Sequence, residues 1–409
     1  MSKNINFSGQ PIFTQLLNFI DKSVVRKFSN ELNADRYTKK FTSYKHTVVM
    51  LFVAFEGYTS LRETILGLLS NANKLQHIGL DYVVRRSTLS ESNMRRPTEL
   101  FSKIYFDIYH KNRLFLTDSK ITKHDMKRLY IMDSTTITLF KDILKGVGRN
   151  PLTGKKKGGI KAHTIIKSDD NMPCFIRYTE AIRHDHTLLK EIDLPKNSIL
   201  CFDKGYVDYE QYESFSKKKI WYVTRVKDNA IYKSKEEFDI PDDADSGILK
   251  DEEIELSYGK NNKLKHKARR IAYWDNENKR VFEFTSNNFE FTAEHIAMIY
   301  KKRWQIEILF KQLKQNFPLK YFLGDNENAI IIQIWAAMIG NLILSVIQKK
   351  IKKAWAFSNM VTIVRHHLMD YINIYRFFED PEGAWESLNK ENKMTYQNSL
   401  FSNKEGAYF

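Results

Sequence analysis

Leu129-Tyr-Ile-Met-Asp133-Ser-Thr-Thr-Ile-Thr-Leu-Phe140 is the stretch at which the chain changes character. Its β-branched and aromatic residues suit a pleated, half-buried surface, which predicts a strand with an acid in its middle. A loop follows from Gly146 to Gly159, with Lys155-Lys156-Lys157 inside it. Strands are expected again at Ile160 to Lys167 and Pro173 to Glu180, joined by the turn residues Ser168-Asp-Asp-Asn171. Beyond a helix near His184 to Ile192, the run Ser198-Ile-Leu-Cys-Phe-Asp203-Lys-Gly-Tyr206 reads as an apolar strand ending in an acid and a glycine turn. Another helix and the strand Ile220 to Val226 follow. Strands first in a meander and then alternating with helices make this an α/β unit.

Outward from that unit the pattern is helical. Between residues 10 and 115, Phe13, Leu16, Leu17 and Ile20 recur at helical spacing, as do Val48, Val49, Leu51, Phe52 and Phe55 before Gly57. Ser60-Leu-Arg-Glu63 and Thr88-Leu-Ser-Glu91 both fit capping boxes. Around the second lies a short helix with arginines at both ends, Arg85-Arg86 and Arg95-Arg96. Two readings stand for it. It is the second helix of a helix-turn-helix, with Arg86, Arg95 and Arg96 toward DNA, or it is a solvated basic helix. Between 229 and 280 an acidic, loop-rich piece, Glu236 to Glu255, precedes a basic one, Lys260 to Arg270, before strands resume at Ile271 to Trp274 and Val281 to Thr285. This is the signature of a β-rich insertion interrupting the α/β unit. From Thr292 onward the chain is expected to be helical; Ile330 to Ile347 is apolar, but Gln333, Asn341 and Ser345 interrupt it, so a buried helix and no membrane span is expected.

Apolar content of 42% with 28% charged residues describes a globular chain and excludes a disordered one. A net charge of +16 favours a polyanionic partner, nucleic acid first, through counterion release. Cys174 and Cys201 show no zinc spacing and read as thiols of a reducing compartment. The Met-Ser-Lys-Asn-Ile-Asn start has no apolar signal core, so a cytoplasmic protein is expected.

The polar residues of Tyr300-Lys-Lys-Arg303-Trp-Gln-Ile-Glu307-Ile-Leu-Phe-Lys-Gln-Leu-Lys314 fall on a pattern that packing does not require. At about 100° per residue, Tyr300, Arg303, Glu307 and Lys314 form one stripe of a helix beside an apolar seam of Ile299, Ile306, Phe310, Leu313 and Phe317. In isolation Arg303 and Glu307 are an ordinary i, i+4 pair, Asp133 a turn cap and Asp203 a strand-end residue. Jointly, three carboxylates from three elements meeting at one sheet edge suit two Mg²⁺ ions about 4 Å apart, one at an attacking oxygen and one at the leaving oxygen of a phosphodiester.

The order Asp133, Asp203, Glu307 with Tyr-x2-Arg-x3-Glu-x6-Lys at Tyr300, Arg303, Glu307 and Lys314 resembles the DDE transposases of bacterial insertion sequences, specifically the insertion-sequence-four family. Met132-Asp133-Ser134-Thr135, Lys157-Gly-Gly-Ile-Lys161-Ala-His163, Phe202-Asp203-Lys-Gly-Tyr206 and Tyr222-Val-Thr-Arg225 support it. The resemblance implies a ribonuclease-H-like mixed sheet with flanking helices over 121–228 and 281–320, interrupted by the β-rich insertion at 229–280. A helical DNA-binding region at 1–120 and a C-terminal helical region at 321–409 complete the expected chain. It implies cut-and-paste transposition: nicking at the terminal inverted repeats, a hairpin intermediate, and joining to target DNA, by a homodimer in a synaptic complex at the nucleoid. Asp133, Asp203 and Glu307 then hold Mg²⁺, for which Mn²⁺ substitutes, while Tyr300, Arg303, Lys314 and Lys161 contact DNA. Trp274 is the insertion's one tryptophan and His163 a structural or phosphate-contacting residue. A nuclease of the same fold and a cleavage-inactive, transposase-derived DNA-binding protein are the alternatives.

Overall fold

Helices α1 (Ile12–Leu17), α2 (Lys22–Glu31), α3 (Ser43–Glu56), α4 (Leu61–Ser70), α5 (Arg86–Arg95) and α6 (Thr98–Leu116) precede the first strand of the computed structural model, which describes residues 9–117, 124–138, 159–180, 185–240, 246–384 and 386. Strands β1 (Leu129–Thr138), β2 (Gly159–Lys167), β3 (Pro173–Glu180), β4 (Ile199–Phe202) and β5 (Trp221–Arg225) follow, with α7 (Tyr209–Lys217) between the last two. Next come β6 (Tyr232–Glu237), β7 (Ile248–Tyr258), β8 (Leu264–Asp275) and β9 (Arg280–Ser286), then α8 (Ala293–Lys302), α9 (Trp304–Asn316), α10 (Glu327–Lys350), α11 (Phe357–His366) and α12 (Ile374–Glu379). The chain divides into two compact units, Leu116–Gln312 and Met1–Phe115 with Leu313–Phe409.

The Leu116–Gln312 unit is one mixed sheet in the order β3-β2-β1-β4-β5-β9-β8-β7-β6. β1, β2 and β3 form the antiparallel meander, turned at Asn171 with its φ of 56°, and β1, β4 and β5 run parallel. This is the mixed sheet of a ribonuclease-H-like fold. Buried Met132, Leu200, Phe202, Tyr212, Phe215 and Tyr222 make the core on one side of it. The segment expected as a helix near His184 to Ile192 is instead a 3₁₀ turn at Asp185–Glu191, pinned by buried Leu188, Leu189 and Ile192. The lysines Lys155 to Lys157 lie outside the described residues.

Both ends of the acidic, loop-rich piece form strands, β6 through Glu237 and β7 from Ile248. β7 carries the acids and β8 the bases, and their antiparallel register sets Glu252 opposite Arg270, Glu253 opposite Arg269 and Glu255 opposite Lys267. The composition break is therefore a cross-strand charge ladder. Arg269 grips Asp251 through two hydrogen bonds of 2.8 and 2.5 Å, and β6 to β9 continue the sheet from β5.

In the other unit, α3 and α10 are buried along most of their length because both are apolar all round. Ser60 Oγ accepts from Glu63 N at 3.2 Å, and Glu63 reaches back to Thr59 N at 2.7 Å, so the first capping box forms one residue displaced. The second does not form: α5 begins at Arg86 with Arg85 in the cap position, which leaves Thr88 inside the first turn. Residues 71–85, including a 3₁₀ segment at Ala72–Ile78, separate α4 from α5. A helix-turn-helix joins its helices by about three or four residues, so that reading is corrected here. Gly340 of α10 sits where a Cβ would meet Phe317 at 3.0 Å and Phe55 at 3.4 Å. Gly340→Leu should lower the unfolding free energy by about 1–3 kcal/mol in urea titration; an unchanged midpoint would mean that the two rings move aside freely.

Candidate active site

Parallel pairing of β1 with β4 sets Met132 opposite Phe202, so the next residues of the two strands, Asp133 and Asp203, emerge side by side. Adjacent strands are about 4.8 Å apart, which brings two carboxylates together at the carboxyl end of the parallel strands. The third acid, Glu307, stands in the first turn of α9. α8 packs on β4, β5 and β9, and Ile299 and Ile306, on either side of the joint that leads to it, are buried.

The expected single helix is interrupted. α8 ends at Lys302 and α9 starts at Trp304, with Arg303 between them at φ −53° and ψ −28°. Arg303 N donates to Tyr300 O at 3.0 Å, an i to i−3 bond that tightens the turn. Across this joint Arg303 bridges two acids, Nη1 donating to Asp133 Oδ2 at 3.0 Å and Nη2 to Glu307 Oε1 at 2.5 Å. Tyr300 Oη donates to Asp203 Oδ1 at 3.2 Å. Five of the residues singled out in the sequence thus form one network. The pair anticipated was Arg303 with Glu307; the bond to Asp133 was not legible, because it spans 170 residues of chain.

Burial raises the Asp133 carboxyl to about 6, and Asp203 and Glu307 push the same way against the opposing Ser134 amide and Arg303. Burial works against the charge on Arg303, but Tyr300, Asp133 and Glu307 outweigh it and strengthen its hold on the proton. Burial likewise raises the Tyr300 phenol. Two of the crowded acids are held by one cation and the third by a phenol.

Among the described residues no three carboxylate, imidazole or thiol groups are gathered closely enough to hold an ion as they stand. Between Asp133 and Glu307 the position is taken by the Arg303 guanidinium. The donors nevertheless fit a hard divalent cation, being carboxylate oxygens from three elements already arranged around positive charge. An ion seated there would compete with Arg303 for Asp133 and Glu307.

The other singled-out residues differ in exposure. Lys314 is exposed near the end of α9, and Lys161 is half-buried on β2 opposite Thr136. Arg86 and Arg95 are exposed on α5, whereas Arg96 is buried beneath it, so it faces no major groove. His163 is buried, with hydrogen bonds to Tyr206 at 3.1 Å and Thr179 at 2.9 Å. Trp274 donates its indole N–H to Asn276 at 2.8 Å. A hollow of about 630 Å³ that the sequence did not reveal opens beside Tyr300 and Arg303, walled by Arg225, Phe282 and Trp304 among others. Trp304 is 61% exposed, and its place outside the apolar seam was the available signal.

Residues 124–341 match the family described as the transposase DDE domain, more than half of the chain. The protein is a DDE transposase. Residues 8–81 match a domain of unknown function. Among its relatives, y4zB of Sinorhizobium fredii, named as a transposase, is 29% identical over 63% of this chain and 70% of its own length. Proteins named as transposases for insertion sequence elements IS5377 of Geobacillus stearothermophilus and IS4SA of Synechocystis are 27% and 26% identical, over 56% and 64% of this chain and 58% and 71% of theirs. Transposases of this kind act on DNA with divalent metals.

Arg303→Ala should destabilise this transposase by about 3 kcal/mol in the absence of divalent ions, because it strands two acids. Adding Asp133→Asn should recover about 1–3 kcal/mol of coupling in a denaturation double-mutant cycle; strictly additive losses would show that the two side chains do not interact.

Proposed function

We propose that the transposase belongs to the insertion-sequence-four type and moves its element by cut and paste. It binds the terminal inverted repeats as a homodimer, cleaves the ends through a hairpin intermediate and joins them to target DNA in the bacterial nucleoid. The observation that carries this reading is the convergence of Asp133, Asp203, Glu307, Tyr300 and Arg303 on one sheet end. Asp133, Asp203 and Glu307 are the catalytic carboxylates and hold two Mg²⁺ ions, with Mn²⁺ able to replace them. Those ions supply the charge that activates the attacking oxygen and stabilises the leaving one.

The other residues act on the DNA backbone. With divalent ions bound to those acids, Arg303 would be free to turn its planar fork to a phosphate, a bidentate geometry that lysine lacks. Tyr300 donates its hydroxyl to a neighbouring phosphate, and Lys314 and Lys161 add point charges. The division proposed is a helical DNA-binding region at 1–120, the catalytic domain at 121–228 and 281–320, the β-rich insertion at 229–280 and helices at 321–409.

Asp133→Asn, Asp203→Asn or Glu307→Gln should each reduce Mg²⁺-dependent cleavage of end DNA by at least about a thousandfold while end binding stays within a fewfold. A variant that still cleaves normally removes its residue from the site. Precut ends separate this reading from a pure nuclease, since strand-transfer products require a joining enzyme.

The pH dependence has a definite sign. The fold holds a proton on Asp133 below about 6, and a metal must displace it. The rise in melting temperature on adding Mg²⁺ should therefore be full at about pH 7.5 and shrink as pH falls through 6; Asp133→Asn should flatten that dependence. A wild-type shift indifferent to pH would remove Asp133 from the metal's ligands.

A further inference from the structure

The α-helical unit holds a cleft of about 920 Å³ between the turn that follows α2, residues 33–41, and α5 with the residues just before it. One wall lies within the 8–81 segment that matches the domain of unknown function. Six cations line the cleft: Arg36, Lys39, Lys40, Arg85, Arg95 and Arg96. The acid among its lining residues, Glu91, is held by Arg95 at 2.7 Å, which leaves a strong positive excess. Concave low-dielectric walls focus such a field and draw anions inward.

The floor of the cleft is unusual in a second way. Arg96 is 4% exposed, and its Nη2 donates to Asp35 Oδ1 at 3.0 Å and to the Phe41 carbonyl. Among the described residues its Nε and Nη1 have no hydrogen-bond partner. Asp35 also accepts from Ser29 Oγ and from Ser43 N and Oγ, so its charge is shared among four donors. Arg96 is thus ion-paired with Asp35 beneath the cleft, and the positive excess at its mouth comes from Arg36, Lys39, Lys40 and Arg85.

The rim supplies flat surfaces. Tyr37 is 83% exposed and held at φ 61°, a left-handed backbone that costs a non-glycine residue about 1 kcal/mol or more. The Arg36 guanidinium lies over its ring at 4.9 Å, and Tyr82 lines the same cleft. An exposed aromatic beside a cationic groove is what binds unpaired nucleic acid, phosphates on the cations and bases on the rings. A duplex hides its bases from such a platform.

We infer that this cleft binds a short unpaired stretch of DNA, with its phosphates drawn by Lys39, Lys40 and Arg85 and one base stacked on Tyr37. The inference rests on the reading of the chain as a DNA enzyme but needs none of the three acids. Its test therefore uses the full chain in EDTA, where cleavage plays no part.

The experiment is fluorescence anisotropy with a labelled oligothymidylate and, separately, a duplex of equal length without unpaired ends. Tyr37→Ala should weaken oligothymidylate binding by about tenfold, and Tyr37→Phe should leave it near the wild type. Duplex binding should change by less than about twofold in both variants. Lys39→Ala with Lys40→Ala should lower the salt slope for the single strand by about 0.7 per lysine. Thymidine monophosphate should compete only at far higher concentration than the strand. Equal losses on strand and duplex, no loss with Tyr37→Ala, or competition by the mononucleotide at strand-like concentration would each overturn the inference. Loss of cleavage assignments at Asp133, Asp203 or Glu307 would leave this result untouched.

Discussion

The parallel register of β1 and β4 imposes a debt of charge on the whole sheet end. With Met132 paired to Phe202, Asp133 and Asp203 must emerge together, and Arg303 draws Glu307 into the same cluster. Asp133 is only 18% exposed, so water cannot neutralise the crowding; an unpaired charge there would cost several kcal/mol. Arg303 answers it by bridging Asp133 and Glu307, while Tyr300 ties down Asp203. The joint between α8 and α9 lies at the residue whose side chain makes the bridge.

That arrangement also explains why one arginine suits two tasks. Its delocalised fork matches a pair of carboxylates as readily as it matches a phosphate. The same acids that bind it are the oxygen donors a divalent ion prefers, so protein cation and metal ion compete for one set of ligands. The site is thus preorganised by charge before it is organised by coordination.

What the sequence disclosed follows the range of the forces involved. Strands β1 to β3, the turn at Asn171 and the buried seam of α9 were legible because β-branching, turn chemistry and helical period act over a few residues. The acids were legible because a carboxylate in an apolar strand is anomalous on local grounds. The bond from Arg303 to Asp133, the interruption at Arg303 and the 3₁₀ turn at Asp185–Glu191 were not, since each is decided by packing between segments far apart in sequence. The capping box at Thr88 misled for the opposite reason. Its local pattern is sound, but α5 is anchored by buried Leu89 and Asn93 and begins two residues before Thr88.

The charge reading changes most once the register is known. A surplus of +16 suggests cations available everywhere, yet Arg269 and Arg270 are consumed by Asp251, Glu252 and Glu283. The basic run at Lys260 to Arg270 that stood out in the sequence is thus partly silent toward DNA. In the α-helical unit the balance is reversed: Arg36, Lys39 and Arg85 are in no ion pair among the described residues, and they border a cleft whose floor is itself an arginine. Net charge locates a partner only after paired charges are subtracted, and here the subtraction leaves cations available at a turn between two helices.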